Sequence, residues 1–248
     1  MSLASKLAEH RLSKEILTDA RAVEEDLYPK GSLLKAHSEP SRSPTELEYH
    51  AIGSGYSLAH FLSHLTQLHQ MPAYLESYSR SKSMEARGVN RVAHLIYHWE
   101  NYILRARGLE ERALQFTNAV LHLGIDPRDV RANSLLRNVH VKSTATRDIL
   151  KRVSRLVQPV AGERNRIVHE RGLLDEDLRR LEFWSLIRTE MPERRDLAVG
   201  RYLTEVREVV PKRVEVVERF NGECGEIMKD LFDNLAPRYR DIRNRLRV

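Results

Sequence analysis

A chain of 248 residues is long enough to bury a core without a metal or disulfide staple, and its single cysteine, Cys224, excludes both an internal disulfide and a cysteine-based zinc cluster. With 41% hydrophobic and 31% charged side chains, only 11 glycines and 9 prolines, the composition excludes collagenous, disordered and membrane classes and predicts a globular chain rich in helix. The net charge of +6 lies in the second half: residues 1–124 carry 14 basic and 14 acidic side chains, residues 125–248 carry 27 and 21.

In chain order, residues 2–27 read as an amphipathic helix with Leu7, Leu12, Ile16, Ala20, Val23 and Leu27 on one face. Charge enters this segment too early for a signal-peptide core, and no later apolar run approaches the roughly 18 residues of a membrane helix. A cytoplasmic protein with no membrane contact is therefore expected. Residues 30–45 hold two prolines, a glycine and four serines, the composition of a surface loop, and residues 1–84 form an N-terminal helical extension with a weaker helix around 55–70.

The strongest stripe runs from Val89 to Leu123 between Gly88 and Gly124, through Val92, Leu95, Trp99, Ile103, Ala106, Ala113, Phe116 and Val120. Gly108 is a place where it could bend. Trp99 and Tyr102 read as core. Asp126-Pro127 marks a turn, residues 143–158 resume helical spacing, and Pro159 and Gly162 are expected to interrupt it. A short helix follows at 174–189, its first turn helped by Asp175, Glu176 and Asp177. A last helix spans 197–235, with Pro211 expected to kink it. Residues 236–248 read as a basic tail, Arg238, Arg240, Arg243, Arg245 and Arg247 against Asp241, either solvated or a phosphate contact. No alternating strand pattern persists. The expectation is an all-α fold, an antiparallel helical bundle of four to five main helices, with residues 85–235 as its body.

Within 163–172 the chain reads Glu-Arg-Asn-Arg-Ile-Val-His-Glu-Arg-Gly. An arginine followed, after a gap of four to six residues, by histidine occurs three times, at Arg87/His94, Arg91/His98 and Arg164/His169, and only Arg164 is followed by asparagine. Asn165 and His169, four apart, share a helix face; Arg164 reaches that side by its length or from outside a helix start near Gly162, where free N–H groups would also receive a phosphate. Arg164, Asn165 and His169 in an all-helical context resemble the motif of the HEPN superfamily of nucleotide-binding and RNA-cleaving helical domains.

That resemblance implies a metal-independent endoribonuclease using the RNA 2′-hydroxyl as nucleophile, with no cofactor and no metal. His169 would move the proton, Arg164 would stabilise phosphate charge, and Asn165 would orient one of them. Arg166 and Arg171 are candidate RNA contacts. The family further implies a homodimer that brings two motifs into one groove, a role in stress response or defence of the toxin–antitoxin kind, and an inhibitory protein partner. The alternative is a noncatalytic helical module that binds a nucleotide or a protein. His94 and His98 offer at most half a metal site, and His60, His64 and His69 read as bundle histidines.

Overall fold

A computed structural model describes residues 2–28, 40–78, 82–169 and 176–247, without the side chains of Glu85 and of residues 163–169. Among the described residues there is no strand. The helices are α1 (Leu3–Ala8), α2 (Arg11–Leu27), α3 (Glu46–Glu76), α4 (Lys82–Ala86), α5 (Arg91–Val120), α6 (Ala132–Arg137), α7 (Val139–Lys142), α8 (Ala145–His169), α9 (Glu176–Glu190) and α10 (Arg195–Leu246), with a 3-10 turn at Pro192–Arg194. The all-α architecture expected from the sequence is the one found.

The chain forms two compact units, each discontinuous in sequence. The first comprises residues 1–66, 108–156 and 224–248; the second comprises 67–107 and 157–223. In the first, the core is built on one ring from each of three helices: Phe61 of α3 stacks on Phe116 of α5 at 5.3 Å, and Phe232 of α10 lies 5.2 Å from Phe116. The side-chain bonds fix the directions. His50 meets the Val120 carbonyl and Ser54 the Ala119 carbonyl, so α3 and α5 run antiparallel. Thr146 bonds Asn234 and Arg152 bonds Asp230, so α8 and α10 do too. Helix α2 lies along α10 through Glu15 to Arg240 and Asp19 to Arg243.

In the second unit the end of α3 meets the start of α5 through Arg105 to Gln67 at 2.9 Å. Trp99 and Tyr102 are buried, with Tyr102 edge-on to Phe220 and the Arg213 guanidinium 4.4 Å over the Trp99 ring. Arg180 of α9 bonds Glu205 of α10, and Asp177 lies 3.6 Å from Arg213, pairing those helices antiparallel.

Several boundaries differ from the sequence expectation for physical reasons. The first helix is divided at Glu9 and His10, and the His10 ring caps α2 by accepting from the Leu12 N–H. Helix α3 is twice as long as the stretch expected, because its inner face carries His50, Ser54 and Gly55 where a stripe search looks for aliphatic residues. Gly55 is there because a β-carbon would stand 2.7 Å from that of Ala20. Helices α6 and α7, of 6 and 4 residues, are too short to show a period.

None of the four prolines inside the described helices ends its helix. Pro159, Pro211 and Pro237 are exposed, as are Arg155, Arg207 and Asp233 one turn before them, so the carbonyls whose N–H partners are missing lie open to solvent. Pro72 leaves the Leu68 carbonyl unpaired in a buried place, and there the Asn221 amide supplies the missing donor at 3.2 Å. Gly88 and Gly124, at φ +71° and +69°, flank α5 as anticipated, and Gly108 leaves it continuous. Arg238, Arg240, Arg243 and Arg245 lie on α10, which runs to Leu246 with Ala236, Tyr239 and Ile242 buried, and Arg247 follows it.

Candidate active site

Helix α8 starts from a buried stripe of Ile149, Leu150, Val153 and Val157 and continues unbroken to His169. Gly162 has no atom within 4 Å of where a β-carbon would stand, so the residue type neither demands nor supplies a break. Arg164, Asn165, Arg166 and His169 thus occupy the last two turns of one helix. Their side chains, and Arg171 altogether, lie outside the described residues.

The backbone register is informative by itself. At 100° per residue, Arg164 falls about 20° from Val153, on the face of the buried stripe, while Asn165 and His169 fall at about 120° and 160°, one turn apart on a neighbouring face. The expected start near Gly162 is corrected: the motif lies on the last described turns of an unbroken helix. Inside an unbroken helix the backbone N–H groups bond back to the preceding turn and are not free for a phosphate. A phosphate there has to be held by side chains. The next helix start is already supplied with anions, since α9 opens on Glu176 and Asp177, which pair with Arg180.

The other arginine–histidine pairs stand on α5 or just before it. His94 meets the Tyr74 carbonyl at 2.9 Å, and His98 stacks on the Tyr74 ring at 5.0 Å. Burial, then His94 and Arg105 nearby, lowers the His98 pKa below its usual value. Among the described residues no group of three or more His, Cys, Asp and Glu side chains is placed to hold a metal. His64 packs on Gly108, and His60 lies 5.2 Å from the Tyr56 ring.

Two features of the first unit escaped the sequence reading. A groove of about 970 Å³ between α3, the end of α5 and residues 122–127 is lined by Tyr49, Tyr56, His60, Arg112 and His122 among others. A second, of about 600 Å³, is bordered by His122, His140, Ser143, Arg238, Asp241 and Arg245. His122 belongs to both. It ends α5 in the left-handed region, at φ +49°, while Leu123 N–H returns to the Asn118 carbonyl at 3.1 Å. Glycine usually takes such a place; Gly124 announced the end of the helix, but nothing singled out His122 for a left-handed backbone.

Residues 56–235 match the family model described as Cthe2314-like HEPN, a span running from within α3 to within α10 and including the whole of α8. Searches of curated proteins and of solved structures return no match. No helix among the described residues is long and apolar enough to cross a membrane.

Proposed function

The chain belongs to the Cthe2314-like HEPN family, and on that premise we propose that it is a metal-independent endoribonuclease whose active site is Arg164, Asn165 and His169. The observation that carries this reading is their position: all three fall inside the family-matched span, on the last described turns of one unbroken helix, with Asn165 and His169 in register on one face.

In the proposed reaction the RNA 2′-oxygen attacks the adjacent phosphorus. The 2′-O–P bond forms, the P–O5′ bond breaks, the 2′-hydroxyl loses its proton and the departing 5′-oxygen gains one. His169, of a residue type whose ordinary pKa is near 6.5, exchanges one of these protons. Arg164 holds the phosphoryl oxygens as charge builds on them. Asn165, one turn before His169, orients the ring or the phosphate. Two protomers joined across the ends of α8 would set two motifs in one groove, supplying the second proton carrier. Such a nuclease in a cell calls for restraint by an inhibitory partner.

The end groups of the products test the chemistry. An RNA oligonucleotide incubated with the protein in EDTA is expected to yield 2′,3′-cyclic phosphate and 5′-hydroxyl ends, and a 2′-deoxy substitution at the cut site should abolish cleavage there. Products ending in 5′-phosphate would exclude 2′-hydroxyl attack. RNA bound but left intact would favour the noncatalytic nucleotide-binding module instead.

A further inference from the structure

The C-terminal arginines are sorted by α10. Arg240 and Arg243 turn to α2, 3.3 Å from Glu15 and 3.1 Å from Asp19. Arg238 and Arg245, seven positions apart and so on one helix face, are exposed, make no ion pair among the described residues, and border the groove of about 600 Å³. Across from them stand exposed His140 and the Ser143 hydroxyl; Asp241 is the one acid on this wall. His122 joins this groove to the larger one, where Tyr49 and Tyr56 of α3 are 66% and 56% exposed. The acids of that larger groove are engaged: Glu46 by His122 at 2.6 Å, Asp126 by Arg128 at 3.0 Å.

We infer that the first unit carries a docking surface for single-stranded RNA, with phosphates held by Arg238, Arg245 and His140 and bases stacked on Tyr49 and Tyr56. Guanidinium forks suit phosphodiesters, and exposed rings beside them suit unpaired bases, whatever their sequence. Left-handed backbone is costly at a non-glycine residue, and His122 bears that cost at the junction of both grooves. The surface contains no residue of the α8 motif. It rests on and deepens the proposed ribonuclease reading by adding residues outside the motif that hold the substrate.

The test uses the whole chain and a fluorescein-labelled 2′-O-methyl RNA 12-mer of mixed sequence, read by anisotropy over a salt series. This probe cannot be cut through its 2′-oxygen, so binding is read whether or not the motif is catalytic. Failure of cleavage would overturn the proposed function alone, and failure here the docking surface alone. Arg238→Gln with Arg245→Gln is expected to weaken binding about tenfold and to flatten the slope of log K against log salt by about 1.4, the share of two phosphates on a single strand. Tyr56→Ala should weaken binding at least about fivefold with the slope unchanged. His122→Gly should weaken binding while the thermal midpoint stays or rises, which separates a binding role from a structural one. Parent-like affinity and salt slope in the double arginine variant would overturn the inference, as would tighter binding of a duplex 12-mer than of the single strand.

Discussion

His50 shows how much a single buried group can govern. It is 2% exposed on α3, takes the Val120 carbonyl at 3.1 Å, and lies 5.0 Å from the His122 ring and 5.2 Å from Tyr239. Burial is the main cause of its lowered pKa; the Val120 hydrogen bond and Asp19 raise it in part, and His122 lowers it further. Because the folded value lies below the unfolded value of about 6.5, the unfolded chain binds the proton first as pH falls. The stability His50 allows is therefore complete above about pH 6.5 and is lost between there and its lowered folded value. Urea unfolding at pH 7.5, 6.5 and 5.5 should show a loss of at most about 1.4 kcal/mol per pH unit from this group, and His50→Gln should flatten that part of the profile. An unchanged slope in the variant would assign the effect elsewhere. Cys224 is a simpler case: burial pushes its thiol up to about 12, which suits a packing residue and not a nucleophile.

At the scale of elements, the sequence was most legible where apolar spacing and glycine punctuation agreed. Helix α5 was bounded to within three residues because Val92 to Val120 keep one stripe and Gly88 and Gly124 flank it. It was least legible where polar residues do the packing, as with His50 and Ser54 in α3, or where a proline is tolerated because its consequence is absorbed elsewhere. Asn221 is the instructive example, since its partner is 153 positions away. Asn221→Ala should cost about 1–3 kcal/mol by orphaning the buried Leu68 carbonyl. In a Pro72→Ala background, where the restored backbone N–H can pair with that carbonyl, the same change should cost less by at least about 1 kcal/mol. Equal costs in both backgrounds, measured by denaturant unfolding, would show that Asn221 does not act through the proline. The stretch around Arg164 was not legible as placement: Pro159 and Gly162 look like a stop, and only the continuous helix shows that Arg164 and His169 lie on the last described turns of α8.

For the molecule as a whole, family membership and an all-helical architecture follow from the match over residues 56–235 and from the helices themselves. Each unit is assembled from distant segments, and α3, α5, α8 and α10 each contribute to both. The proposed division of labour follows the same partition, with the motif's residues in the second unit and the RNA-docking grooves in the first. The central claim is that His169 moves a proton in metal-independent RNA cleavage, and the direct measurement is the single-turnover cleavage rate of one RNA substrate in EDTA, for the parent chain and for His169→Ala at equal folded concentration. A loss of general acid–base catalysis predicts a rate at least about 100-fold lower in the variant. Cleavage that proceeds at the parent rate without His169 would contradict the account.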